Sequence, residues 1–224
     1  MKGIWILLLL TICSALPAII VYFLFRAKKS AVTLPWFLAS LAAGIGSFLL
    51  AALLHDLIIP FREDNPWPVF FTIFVRIALV EEASRLVTFV PFFRADKNPM
   101  HKDSSFGAAL GLAAGLGFAF IESAYHGLTN INLTILRLFT AAPLHGACGI
   151  RAGTAVFTVR QHPLRALFLF ASAILIHGTY NLIIVSPAYP SAIAILVALA
   201  ALFASLNHLR ATSQVDGEGG LDKL

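Results

Sequence analysis

The sequence predicts an all-α protein, a polytopic transmembrane helical bundle of about seven spans, and three observations carry that reading. The chain of 224 residues is 59% hydrophobic and only 12% charged, with a mean hydropathy of +0.86. A soluble domain has about 25% charged residues, so this composition is too apolar to cover a water-facing surface. Apolar runs near 20 residues recur along the chain, which excludes a β-barrel built from alternating strands of about 10 residues. The formal net charge of +5 sits in short basic clusters beside the apolar runs. That distribution orients a membrane protein and gives no basis for a nucleic-acid partner.

Charged and Pro-rich breaks divide the chain into spans at Gly3 to Phe25, Ala31 to Leu54, Pro68 to Phe93, Phe106 to Tyr125, Leu138 to Val159, Leu164 to Val185 and Ser191 to Leu209. Each is close to the length that crosses about 30 Å of hydrocarbon. Lys2, the following apolar run and the small residues Ser14 and Ala15 have features of a signal peptide. The run resumes to Phe25, however, and stops at Arg26, Lys28 and Lys29, which favours an uncleaved first helix with Pro17 inside it. Residues 1–212 therefore form one transmembrane domain with a motif-bearing core at 68–185. The polar, Gly-rich stretch 213–224 reads as a flexible tail.

Alternate loops divide the basic residues unevenly. Arg26, Lys28, Lys29, Arg94, Lys97, Lys102, Arg160, Arg165, Arg210 and Lys223 fall on one side, against Lys2, Arg62 and Arg137 on the other. The positive-inside rule then puts the amino terminus outside and the carboxyl terminus in the cytoplasm. Cys13 and Cys148 lie in apolar spans without metal-like spacing and read as small buried residues.

Ionisable groups remain inside the spans. A charge near the bilayer centre costs about 2.5 to 3.5 kcal/mol on insertion scales, so such groups must meet one another or water. In VEEASRLV, Glu81 and Arg85 are one helical turn apart and Glu82 is within reach of Arg85 at i,i+3. A carboxylate-guanidinium pair accounts for one acid and leaves the other without a partner of its own. Two such acids are suited to general acid and base work on water.

The next span, FGAALGLAAGLGFAFIESAYHG, places Gly107, Gly111 and Gly115 in a small-residue row that admits a close neighbour. Glu122 returns to nearly that face two turns on. His145 and His177 are each followed by glycine, which leaves room for a ligand or another backbone, and Asn181 is one turn beyond His177. At 1.5 Å per residue, Glu81, Glu122, His145 and His177 can share a layer between the midplane and the outer leaflet. Arg76 and Arg151 read as snorkelling or pairing side chains. His126 reads as a residue of the lipid-water boundary, and His55, His101, His162 and His208 lie at span ends or in loops.

Glu81-Glu82-x-x-Arg85, Phe118-x-x-x-Glu122 within GLGFAFIE, His145-Gly and His177-Gly-x-x-Asn181, in this order on consecutive spans, resemble the PrsW family of intramembrane proteases. That family is grouped with CAAX prenyl endopeptidases and the Aph subunit of γ-secretase. The motifs cover about Glu81 to Asn181. Arg85 stands where the family more often has Lys, and Glu122 stands where CAAX endopeptidases typically have His.

The resemblance implies proteolysis of a membrane-embedded substrate such as an anti-sigma factor, in a bacterial or archaeal cytoplasmic membrane. Glu81, Glu82, Glu122, His145 and His177 would be the catalytic polar groups, with Arg85, Phe118 and Asn181 in support. Two routes are open from the residue types. In one, His145, His177 and a glutamate such as Glu122 hold a divalent metal, zinc being a candidate. In the other, no cofactor is needed: a glutamate activates water and His or Asn stabilises the oxyanion. The abundance of carboxylates favours the second. The rival readings are a non-catalytic scaffold resembling the Aph subunit and a proton-coupled carrier, but the chain shows no repeated halves.

Overall fold

A computed structural model describes residues 2–28, 30–58, 69–95, 104–127, 131–186 and 188–218. Its regular elements are all helical: α1 (Lys2–Ala27), α2 (Leu34–Ile58), α3 (Val69–Phe71), a π-helical stretch (Thr72–Leu79), α4 (Val80–Ala95), α5 (Ser104–Gly127), α6 (Ile131–Thr158), α7 (Pro163–Val185) and α8 (Ser191–Glu218). Phe71 and Val80, which flank the π-helical stretch, both keep right-handed helical backbone angles. Val69–Ala95 is therefore one continuous rod, and the bundle has seven rods among the described residues.

Among those residues, Leu34–His55, Ser104–His126 and Pro163–Val185 are long and apolar enough to cross a membrane, and Ile12–Ala27 and Ala192–Asn207 are shorter apolar stretches. The rod carrying Glu81, Glu82 and Arg85 and the helix carrying Arg137 and Arg151 place ionisable groups among their apolar residues. They do so where other helices cover those groups, since Glu82, Arg85 and Arg137 are all buried. The outer surface is aliphatic and aromatic: Leu164, Leu167, Phe168, Leu196 and Phe203 are each more than 60% exposed. An exterior of this kind belongs in lipid.

Helix α5 is the axis of the bundle. Of its most apolar window 78% is buried, against 28% in α2 and 33% in α7. It is flanked by α1, α2 and α6, while α7 and α8 pack on α6, and α4 lies against α2 and α6. Along its glycine row the α5–α6 contact brings backbone against backbone. A Cβ added at Gly111 would stand 2.1 Å from the Gly149 carbonyl oxygen, and one added at Gly115 would stand 2.0 Å from that of His145. Gly107 meets Gly153 in the same way, so the row expected on α5 pairs with glycines of α6 in antiparallel register. Small residues on both sides replace side-chain packing by backbone approach. On the opposite face of α5, Gly44 of α2 abuts the Ala114 carbonyl and Gly117 abuts that of Leu41.

Some boundaries differ from the sequence reading. Helix α6 starts at Ile131, about two turns before the expected Leu138. Arg137, placed in an outer loop by its charge, is thus a buried helical residue. Helix α8 continues to Glu218, into the stretch read as a tail. Arg62, Lys97, His101, Lys102 and Lys223 lie outside the described residues.

Candidate functional site

The site is assembled from four helices. Glu81, Glu82 and Arg85 occupy the first turns of α4, immediately after the π-helical stretch. Phe118 and Glu122 come from α5, His145 from α6 and His177 from α7. Glu82, Arg85, Phe118, His145 and His177 are all at most 1% exposed, and Glu81 and Glu122 are 8% exposed. Groups this deep must satisfy one another.

Glu82 is the hub. One carboxylate oxygen is ion-paired with Arg85. The other accepts a hydrogen bond from His177 Nδ1 at 2.8 Å. With its proton on Nδ1, the His177 ring turns its Nε2 lone pair to Glu81, whose Oε2 lies 3.4 Å away. That Glu81 oxygen is buried and accepts no hydrogen bond among the described residues.

A second chain of contacts mirrors the first. Glu122 is ion-paired with Arg137, and its Oε2 accepts from His145 Nε2 at 2.7 Å. His145 Nδ1 stands 3.1 Å from an Arg85 nitrogen, and because guanidinium only donates, Nδ1 is the accepting nitrogen. The two imidazoles meet edge to face with centroids 5.1 Å apart. Phe118 supports both chains, since its ring packs on His145 at 4.6 Å and lies 4.8 Å below the Arg85 guanidinium carbon. A cation over a ring face is attracted to it.

Close packing sets these positions. The Gly115–His145 backbone contact brings His145 beside Phe118 and Glu122. The glycines after the two histidines hold side chains: Gly146 accommodates Leu112, and Gly178 accommodates the Phe74 ring of the π-helical stretch. The room expected there for a ligand is filled by packing. Asn181 follows His177 by one turn, half-buried, without a side-chain hydrogen bond among the described residues.

Glu81, His145 and His177 each offer one ligand atom, and these atoms lie within 4.8 Å of one another. The donor set suits a divalent cation in three respects. Three carboxylates face two guanidiniums, which leaves a formal negative charge. Two donors on one tetrahedral zinc stand about 3.3 to 3.6 Å apart, and Glu81 and His177 are 3.4 Å apart. The carboxylate behind His177 is the usual support of a metal-bound imidazole. Glu81 stands in this group of donors; Glu122, the expected third ligand, is engaged by Arg137 and His145.

Residues 31–206 match the PrsW family intramembrane metalloprotease pattern. The chain belongs to the PrsW family. It is therefore an integral membrane protein of a protease family. No curated protein and no solved structure matches the chain.

Arg137 is the site residue that sequence reasoning missed. Its signal is the α5–α6 glycine register: seven residues beyond Gly115 is Glu122, and seven before His145 is Leu138, adjacent to Arg137. Thr140 and Tyr180, hydrogen-bonded to each other and fully buried, are a further polar pair between α6 and α7. His126, placed at the lipid-water boundary by the sequence, lies 3.9 Å from Glu122.

Proposed function

We propose that this PrsW protein is an intramembrane endopeptidase that cuts a peptide bond in or near the membrane-spanning segment of a substrate protein, with Glu81, His145 and His177 as holders of a divalent metal. The observation that carries this reading is the convergence of those three donors on one buried point, with Glu81 Oε2 unbonded there. Such a metal supplies Lewis acidity toward a carbonyl and a water acidified to about 7.

The protein's own groups prepare the chemistry. Glu82, anchored by Arg85, accepts the hydrogen bond from His177 Nδ1 and directs Nε2 inward. Glu122, anchored by Arg137, accepts the hydrogen bond from His145 Nε2 and fixes that ring, so Nδ1, which lies beside Arg85, is the nitrogen that would turn to a metal. Arg85, beside His145 Nδ1, is placed to face an oxygen that gains negative charge as the peptide carbon turns tetrahedral. Glu81 Oε2 is the carboxylate oxygen left to accept a proton or a cation. The substrate class is an anti-sigma-factor-like single-span protein, and the setting is a bacterial or archaeal cytoplasmic membrane with the amino terminus outside.

The test is cleavage of single-span peptides by reconstituted protein, with zinc measured on the same samples. Glu81→Gln is expected to remove both zinc and cleavage from a protein that still folds. Chelation is expected to stop the wild type, and zinc to restore it. Undiminished cleavage by Glu81→Gln would place the reaction elsewhere. Cleavage that survives removal of all metal would leave Glu81 as a direct base.

A further inference from the structure

A groove of about 440 Å³ opens between α4, α6 and α7. Leu86 and Val90 line it on α4, Ala166 and Phe170 on α7, and Val156 forms its floor on α6, with Arg160 at the foot. On α4 the line Glu82, Leu86, Val90 advances by four residues each time and stays on one face. On α7, Ala166, Phe170, Ala173 and His177 do the same at steps of four, three and four. Both faces continue past the groove to the same pair: Glu82 is one turn beyond Leu86 and His177 two turns beyond Phe170, and the two are hydrogen-bonded. Leu86 is one turn, about 6 Å, from Glu82.

The lips of the groove are apolar. Val87, Leu167 and Phe168 are more than 60% exposed beside it. A partner reaching the groove comes from within the hydrocarbon. Ala155 and Ala166 line it and cluster with Leu169, closing the bottom of the groove between α6 and α7. The larger groove of about 590 Å³ along α1, α6 and α8 has no residue of α4 or α7 in its lining.

We propose that the α4–α7 groove seats the membrane-spanning helix of the substrate. The helix lies along α4 and α7 and presents the bond to be cut at the Glu82–His177 end. This rests on the endopeptidase reading for its purpose, but the seat itself is measured by binding alone.

The experiment uses the full-length protein in lipid nanodiscs and a labelled single-span peptide of about 20 leucine and alanine residues. Saturable binding is expected, at least tenfold weaker in Ala166→Trp and in Leu86→Trp, and unchanged in Glu81→Gln. A photo-crosslinker at position 167 should label the peptide, and one at Leu206 in the α1–α8 groove should not. Wild-type affinity in both tryptophan variants, labelling from Leu206 alone, or labelling of lipid only from position 167 would overturn the proposal. Loss of cleavage by Glu81→Gln is a separate result, so failure of the seat and failure of the protease reading are told apart.

Discussion

Glu122, near the end of α5, is ion-paired with Arg137, in the second turn of α6, and both are buried. The pair closes the helix hairpin from which His145 is positioned. Removing one member of a buried pair leaves the other charge without compensation, a loss of about 3 to 5 kcal/mol.

Arg137→Met is therefore expected to lower stability by about that amount. Arg137→Met combined with Glu122→Gln should recover much of it, since the glutamine oxygen still accepts from His145 without a charge. Thermal unfolding in detergent checks this. A double variant no more stable than the single would show that the two residues are not coupled.

The contact from His177 to Glu82 makes a different kind of prediction. A carboxylate behind a metal-binding imidazole contributes about 10- to 100-fold to metal affinity. Glu82→Gln keeps an acceptor for Nδ1 and loses the charge, so zinc affinity should fall within that range while the protein remains helical. Competition with a calibrated chelator measures it, and an unchanged affinity would remove Glu82 from this role.

The backbone seam between α5 and α6 predicts a stability pattern across glycines. A methyl at Gly111 or Gly149 would stand 2.1 Å from a carbonyl oxygen of the other helix, so Gly111→Ala and Gly149→Ala must part the helices. Overpacking of this kind costs about 1 to 3 kcal/mol. Gly46 has nothing within 4 Å of the same position, and Gly46→Ala should be neutral or stabilising. Melting temperatures of the three variants give the comparison; equal losses at all three would disprove the seam.

The helical bundle was legible because hydrocarbon length and the rarity of charge constrain composition directly. The same holds for Glu81, Glu82 and Arg85, whose spacing on one helix defines a face. What the sequence could not supply was adjacency between helices. Glu122 and Glu81 are equally plausible partners for two histidines until α6 is known to bring Arg137 to Glu122. Arg137 itself was hidden by its charge, which reads as a loop when only hydropathy is followed. The glycines after His145 and His177 signalled a close approach, but the side chains of Leu112 and Phe74, not a ligand, are what approach. The π-helical turns before Glu81 left no mark, since TIFVRIAL has the periodicity of an ordinary apolar helix.

The glycine-locked hairpin also constrains the spelling of the gene. With Gly111 against Gly149 and Gly115 against His145, neither helix can slide or rotate to absorb an added residue. One insertion between Gly115 and Glu122 would swing the acid by about 100° away from Arg137. The number of codons separating those two positions is thus as tightly fixed as the residues at either end.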